Sequence, residues 1–335
     1  MYARDFQLKP YNTFGLPCIA KEFFSFNDED ELISFIKDGS LSTKKRFVLG
    51  GGSNILFREA YNGIILHPLF EGIKVEETTD DFAEVSVGAG VVWDDFVSWA
   101  VEHGYYGAEN LSLIPGMAGA APVQNIGAYG CEAKDIVSKV RLVMLDAGSV
   151  TEIDADDCRF GYRDSIFKHE LKNLTVVSRV FFRLSKQNEL NVTYGDVAST
   201  VESLGGKSLK NVRKAIIQIR RNKLPDPAET GNAGSFFKNP VVNTELFEAL
   251  LAEFPDMPGY RQKDGTVKLA AGWLIERCGW KGKSKGDAGV HHRQALVLVN
   301  YGNATGNNII DLAQDICLSV KSRFGIEITP EVEII

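Results

Sequence analysis

The sequence predicts an α+β fold with more than one packed core. Three observations lead there. Strand-like and helix-like stretches are interleaved without a regular β-α-β rhythm. The chain's 335 residues suggest about two domains. Finally, Leu224-Pro225-Asp226-Pro227 follows a helical stretch and punctuates it as a domain boundary would.

The elements read as follows. Asn27 and Asp28 can cap a helix that carries Leu32, Ile33, Phe35 and Ile36 on one side. Residues 46–49 read as a strand that runs into Gly50-Gly51-Gly52-Ser53-Asn54, with further strands at 55–57, 63–66 and 83–90. Trp93, Phe96, Val97 and Ala100 recur at helical spacing and predict an amphipathic helix over 93–101. Residues 111–130 are rich in Gly, Ala and Pro and have little periodicity, which predicts a long structured loop. Strands follow at 139–145 and 175–184, and a helix at 209–221. The last third reads as helices at 268–278 and 308–324, a buried strand at 294–300, and a final strand at 326–335 broken by Pro330.

Composition narrows the function. Hydrophobic residues make up 44% and charged residues 24%, and the formal net charge is -7. An acidic chain lacks the basic surface that general nucleic-acid binding needs, so no nucleic-acid partner is expected. The five cysteines (18, 131, 158, 278 and 317) form no CxxC pair and are odd in number. That argues against a disulfide framework and against zinc, and no metal is expected. The opening MYARDFQLKP lacks the apolar run of a signal peptide, and no segment reaches the ~20 apolar residues of a spanning helix. The expectation is a soluble, cytoplasmic protein with no membrane partner.

Several motifs carry chemistry. In Gly50-Gly51-Gly52-Ser53-Asn54 the glycines let backbone N–H groups surround a phosphate, and Ser53 and Asn54 add donors; the alternative is a tight glycine turn. No Walker loop and no GxGxxG is present. Gly282-Lys283-Ser284 resembles the end of a Walker loop, but Arg277 occupies the position of its first glycine, and Lys281, Lys283 and Lys285 read as a solvated basic loop. From Ile114 to Gly130, small residues would let a flat aromatic ligand lie on the backbone; the alternative is a packing loop. Arg163, in Phe160-Gly161-Tyr162-Arg163-Asp164-Ser165, either clamps a carboxylate or forms a surface ion pair. Ser235, in Gly231-Asn232-Ala233-Gly234-Ser235-Phe236-Phe237-Lys238-Asn239-Pro240, is a nucleophile, an acid or a cap. The absence of GxSxG disfavours a serine hydrolase.

In order and spacing these segments resemble UDP-N-acetylenolpyruvoylglucosamine reductases of the longer, type I kind (the MurB family). The resemblance runs from Asn12-Thr13-Phe14-Gly15 to Pro330-Glu331-Val332. It includes Gln124-Asn125-Ile126-Gly127-Ala128-Tyr129-Gly130 and Lys268-Leu269-Ala270-Ala271-Gly272-Trp273-Leu274-Ile275. One departure stands out: relatives often read Pro-Glu-Val-Arg where this chain has Pro330-Glu331-Val332-Glu333.

The resemblance implies a PCMH-type FAD-binding module like that of the vanillyl-alcohol-oxidase flavoproteins over 1–218, with subdomains at about 1–70 and 71–218. A substrate-binding α+β domain would occupy 219–325, and a terminal strand, 326–335, would return Glu331 to the active site. It implies FAD as cofactor and NADPH as co-substrate. The reaction would reduce UDP-N-acetylglucosamine enolpyruvate to UDP-N-acetylmuramate for peptidoglycan, and the protein would be a monomer. Catalysis falls to Ser235, Arg163 and Glu331. FAD binding falls to Gly50, Gly51, Gly52, Ser53, Asn54, Gln124, Ile126, Gly127 and Tyr129, and substrate binding to Tyr194, Lys223, Asn239 and Gln294. Tyr194 lies in a loop of the type I group. The alternatives weighed are another FAD-dependent oxidoreductase of this fold, acting on an alcohol or sugar, and a sugar-nucleotide-binding protein without catalysis.

Overall fold

A computed structural model describes residues 1–41, 44–187 and 189–335. The chain forms two compact units. The first comprises Met1–Phe6, Ala20–Gly51 and Asn62–Asn222; the second comprises Gln7–Ile19, Gly52–Tyr61 and Lys223–Ile335. The division after Asn222 lies four residues beyond the 218/219 boundary expected from the sequence. Two short early segments, one of them carrying Gly52-Ser53-Asn54, join the C-terminal unit.

Two larger sheets and a small hairpin are found among the described residues of the first unit. One has the strand order Tyr2–Gln7, Ile19–Phe26, Tyr61–Pro68, Arg46–Val48, with the last pair parallel (Phe47 opposite Ile65). The other is antiparallel, in the order Val150–Asp154, Val137–Met144, Thr175–Ser185, Phe82–Gly88, Ile73–Thr78. Thr175–Ser185 sits in its centre and is buried along most of its length, so its burial does not alternate. The helix Trp93–Glu102 packs on this core through Trp93, Phe96, Val97 and Ala100, and Phe96 stacks on Phe182 at 4.5 Å. Of the two candidate caps for the helix Glu29–Lys37, Asp28 is the one used; its carboxylate accepts the Glu31 N–H at 2.8 Å, a contribution of about 1 kcal/mol. The helix Leu209–Lys223 buries Leu209, Val212, Ala215, Ile216 and Ile219, one stripe at 3.6-residue spacing.

In the second unit a four-stranded sheet runs Gly231–Ser235, Val297–Asn300, Ala288–Val290, Ser284–Lys285. The helix Gly306–Phe324 shares a core with it. A reciprocal Thr305–Asn308 capping box starts this helix, and Gly325, in the left-handed region (φ 67°), stops it. A three-stranded sheet, Val241–Val242, Val267–Leu269, Gly259–Arg261, completes the unit.

Three expected elements differ in extent. The helix expected over 268–278 is Ala271–Arg277, because Val267–Leu269 alternates and pairs as a strand. The strand expected over 294–300 is Val297–Asn300; Gln294 opens a turn in which its carbonyl accepts the Val297 N–H at 3.1 Å. The tail is not one strand. It bridges Phe237 at Pro330, then pairs Glu333–Ile334 in parallel with Ile55–Leu56. The helix Thr244–Glu253 carries a legible signal, Asn243, whose side chain accepts the Leu246 N–H at 2.8 Å.

Candidate functional site

The residues singled out from the sequence divide between the two units, and each group is assembled by local bonding. In the first unit, Gly50 and Gly51 follow the strand Arg46–Val48 and meet the 114–130 loop, Gly51 backbone to backbone and Gly50 against the side chains of Met117 and Ala120. A Cβ added at Gly51 would lie 3.1 Å from the Gly116 Cα, and one at Gly50 would touch Met117. The 114–130 loop is built of turns and a short hairpin in which Gly127–Ala128 pairs with Cys131–Glu132. It is anchored by Trp93 N–H to the Gly116 carbonyl (3.0 Å), Ala118 N–H to Val91 (2.8 Å) and Gly119 N–H to Ala89 (3.0 Å). The small-residue content follows from this closeness, since a Cβ at Gly119 would collide with Ala89.

Asn125 knots the loop. It is fully buried in the left-handed conformation (φ 45°), and its side-chain amide donates to Glu132 (3.0 Å) and to the Gly161 carbonyl (2.9 Å) while accepting the Lys134 N–H (2.9 Å). The bond to Gly161 stitches in the turn that carries Arg163. That turn is closed by Gly161 N–H to the Asp164 carbonyl at 3.0 Å, and Ser165 Oγ donates to the Val123 carbonyl. Arg163 turns toward the main chain of the 114–130 loop. Its guanidinium donates to the Gly127 carbonyl at 2.7 Å and reaches the Asn125 carbonyl at 3.5 Å. Leu113, Asn125, Tyr129 and Arg163 all have positive φ, a concentration of unfavourable backbone that ordinary loops avoid. Tyr194, half exposed, places its ring edge-to-face on Tyr129 at 5.9 Å.

Two charged features escaped the sequence reading. Asp94 accepts both Arg213 guanidinium nitrogens (2.7 and 3.0 Å) and the Leu113 N–H (2.5 Å). Burial works against the Asp94 carboxylate, but these donors outweigh it and hold its pKa below the usual range. Arg220, in the helix Leu209–Lys223, is desolvated enough to lower its pKa, with Tyr129 and Asp94 favouring its charge and Arg163 opposing it. A basic helix face gave no hint that this one arginine turns inward.

In the second unit, Ser235 ends a strand containing a bulge. Asn232 faces Val299 and Ser235 faces Val297, so the strand holds one extra residue, accommodated by Gly234 at φ 70°. Such bulges re-aim the side chain that follows. The next residue joins three segments: the Phe236 N–H donates to the Leu296 carbonyl, and the Phe236 carbonyl accepts the Glu331 N–H, both at 2.7 Å. The stretches bearing Ser235, Gln294 and Glu331 are thereby neighbours. Asn239 accepts the Ala271 N–H at 3.0 Å at the start of the helix Ala271–Arg277, and Gln294 Oε1 lies 3.1 Å from where a Gly272 Cβ would stand. The strand after Gly52-Ser53-Asn54 is tied to the tail by the Glu333 N–H to the Asn54 carbonyl (3.1 Å) and by Asn54 Nδ2 to the Glu331 carbonyl (3.4 Å). Lys223 is exposed. Lys281 and Lys285 pair with Glu276 (3.0 Å) and Asp315 (2.7 Å) at the surface.

The loops of the first unit suit a large, flat, partly anionic ligand. Glycine-lined backbones meet closely, polar main-chain groups are presented in strained but fixed conformations, and the desolvated Arg220 lies near Tyr129. These features suit a flavin dinucleotide, the cofactor of a flavoprotein oxidoreductase. Comparison with known proteins agrees: residues 21–154 match an FAD binding domain, and residues 226–335 match the C-terminal domain of UDP-N-acetylenolpyruvoylglucosamine reductase. The chain is 48% identical over 332 residues to the UDP-N-acetylenolpyruvoylglucosamine reductase of Bacteroides fragilis strain YCH46, covering 99% of each chain. It is 46% identical to that of Chromobacterium violaceum (98% of each) and 43% identical to that of Flavobacterium johnsoniae (99% of this chain, 98% of the other). The crystal structure of the reductase from Thermus caldophilus shares the fold, with a TM-score of 0.69 at 22% identity, covering 100% of this chain and 98% of that one. The chain belongs to the UDP-N-acetylenolpyruvoylglucosamine reductase family.

Proposed function

We propose that this chain uses NADPH and FAD to reduce the enolpyruvyl ether of UDP-N-acetylglucosamine to UDP-N-acetylmuramate, a step of peptidoglycan precursor synthesis in the cytoplasm, and hence serves cell shape and division. Full-length similarity to reductases of this name carries the reading. The interlacing of the Ser235, Gln294 and Glu331 segments through Phe236 supports the roles given to those residues.

The substrate is an alkene conjugated to a carboxylate. When bound, FAD supplies hydride drawn from NADPH to the terminal methylene carbon. Charge then grows on the neighbouring carbon and spreads into the carboxylate. Arg163 meets that charge with a guanidinium held by the Gly127 and Asn125 carbonyls. Donors fixed where charge develops cost no reorganisation at the moment of reaction. Glu331, protonated, donates a hydrogen bond to the same carboxylate. Ser235 gives its proton to the charged carbon; its hydroxyl is a weak acid, but the enolate is a strong base and the bulge fixes the donor's direction. Gly50, Gly51, Gly52, Ser53, Asn54, Gln124, Ile126, Gly127 and Tyr129 hold FAD. Tyr194, Lys223, Asn239 and Gln294 hold the sugar nucleotide, with Lys223 and Gln294 serving the diphosphate and nearby polar atoms. The chain works as a monomer. Among the described residues no helix is long and apolar enough to cross a membrane.

The test separates the two half-reactions. In Ser235→Ala, NADPH should still bleach the flavin at the native rate, while reoxidation by the enolpyruvyl sugar nucleotide slows by about 10²-fold or more. Equal losses in both halves would remove Ser235 from the acid role.

A further inference from the structure

Asn110 lies in the short turn Glu109–Leu111 and is 1% exposed. Its carboxamide nitrogen donates to the Tyr129 carbonyl at 2.9 Å and to the Asn191 carbonyl at 2.9 Å. A flipped amide would set its oxygen against both carbonyls, so this bonding fixes the orientation. The amide oxygen, by contrast, is buried with no hydrogen-bond partner among the described residues. An unmatched buried acceptor is costly and calls for an explanation. Here the explanation is that the site requires two donors.

The two carbonyls belong to different loops. Tyr129 ends the glycine-rich loop assigned to FAD, and Asn191 begins the segment that carries Tyr194. Asn191 reinforces the junction: its side chain reaches the Gly130 carbonyl at 3.4 Å and accepts the Thr193 N–H (3.2 Å) and hydroxyl (2.8 Å). Leu190 is buried in one cluster with Ile219, and Tyr129 and Val192 pack against that cluster. At the far end the Tyr194 ring meets the Tyr129 ring edge-on.

We propose that Asn110 is a positioning residue for the sugar nucleotide, clasping the Tyr194 segment to the flavin loop so that Tyr194 is preset for substrate. The proposal rests on the reductase reading above. It places the effect of Asn110 in the half-reaction that uses the sugar nucleotide, and it routes that effect through Tyr194.

The experiment uses the FAD-loaded full chain and its two half-reactions. Asn110→Asp keeps the shape but replaces both donors with an acceptor. Reduction by NADPH should stay within about twofold of wild type, whereas the sugar-nucleotide concentration for half-maximal reoxidation should rise on the order of tenfold or more. Asn191→Ala, a milder change at a half-buried residue, should shift the same quantity by about threefold and keeps the test open if Asn110→Asp does not fold. In a Tyr194→Ala background, Asn110→Asp should add less than about twofold, because residues acting through one another are not additive. Equal slowing of both half-reactions, loss of FAD from an otherwise folded Asn110→Asp, or full multiplication of the two effects would overturn the clasp and leave the reductase reading standing. Failure of the wild-type protein to reoxidise with the sugar nucleotide would instead refute the reading itself.

Discussion

Substituting the two adjacent glycines Gly51 and Gly52 separately distinguishes a glycine turn that only folds from one that also binds. Gly52 has φ 62°, where an alanine costs about 1 kcal/mol, and its new Cβ would overlap the Tyr11 carbonyl oxygen and lie 2.9 Å from the Asn12 Cα. Relief requires the 11–13 segment to move, which gives up the Thr13 N–H bond to the Gly52 carbonyl (3.1 Å), about 1 kcal/mol more, and adds about 1–3 kcal/mol of overpacking. Gly52→Ala should therefore lose about 3–5 kcal/mol in urea unfolding of the FAD-free protein. Gly51→Ala meets only the Gly116 Cα at 3.1 Å, which a shift of a few tenths of an ångström relieves at about 1 kcal/mol. Yet that shift parts the two loops assigned to FAD, so flavin fluorescence titration should show affinity weakened on the order of tenfold. A Gly52→Ala protein with the native urea midpoint would refute the packing argument. A Gly51→Ala protein with native FAD affinity would refute the binding role.

Other outcomes follow from the charge and burial of single groups. Asp94→Asn should cost about 2–3 kcal/mol in thermal unfolding at neutral pH, since it weakens a forked pair with Arg213; the depressed pKa means this stabilisation is complete above the ordinary 3.8 and fades as pH falls through the lower folded value, so wild type and variant should converge in strong acid. Burial, aided by His292 and Arg293, pushes His291 down to about 4. Because the unfolded chain then takes up the extra proton, stability should fall as pH drops from about 6.5 to 4, by at most about 3 kcal/mol, and a His291→Gln variant should flatten that slope in urea titrations. Burial raises Cys18 and Cys131 to about 11 and Cys158 to about 12, so iodoacetamide at pH 8 should label these thiols at least about 100-fold more slowly in the native protein than in urea; fast native labelling of Cys131 would contradict the tight 129–131 turn.

What could be read directly were features with a local cause. Asp28 caps because a short acceptor precedes an apolar stripe, and Trp93, Phe96 and Val97 bury because they share a helix face. Gly51 marks a close backbone approach, since a Cβ there would stand 3.1 Å from the Gly116 Cα. What escaped depends on partners distant in sequence. Val267–Leu269 looks helical until its strand partners are known. The tail pairs with Ile55–Leu56, far back in the chain, and nothing in either dipeptide announces the match. Asn110 and Arg220 carry no motif; their environments, one between two loop carbonyls and the other turned inward beside Tyr129, make them notable. The motif residues Arg163, Ser235 and Glu331 were found by resemblance. The structure adds what fixes them: two carbonyls for Arg163, a bulge for Ser235 and the Phe236 carbonyl for Glu331.

The central claim is that one bound flavin takes hydride from NADPH and passes it to an enolpyruvyl sugar nucleotide. Stopped-flow absorbance of the FAD-loaded protein tests it most directly. NADPH should bleach the flavin band without oxygen present, and the sugar nucleotide, added next, should restore it with one equivalent of UDP-N-acetylmuramate formed per flavin. A band that NADPH bleaches but only oxygen restores would contradict it.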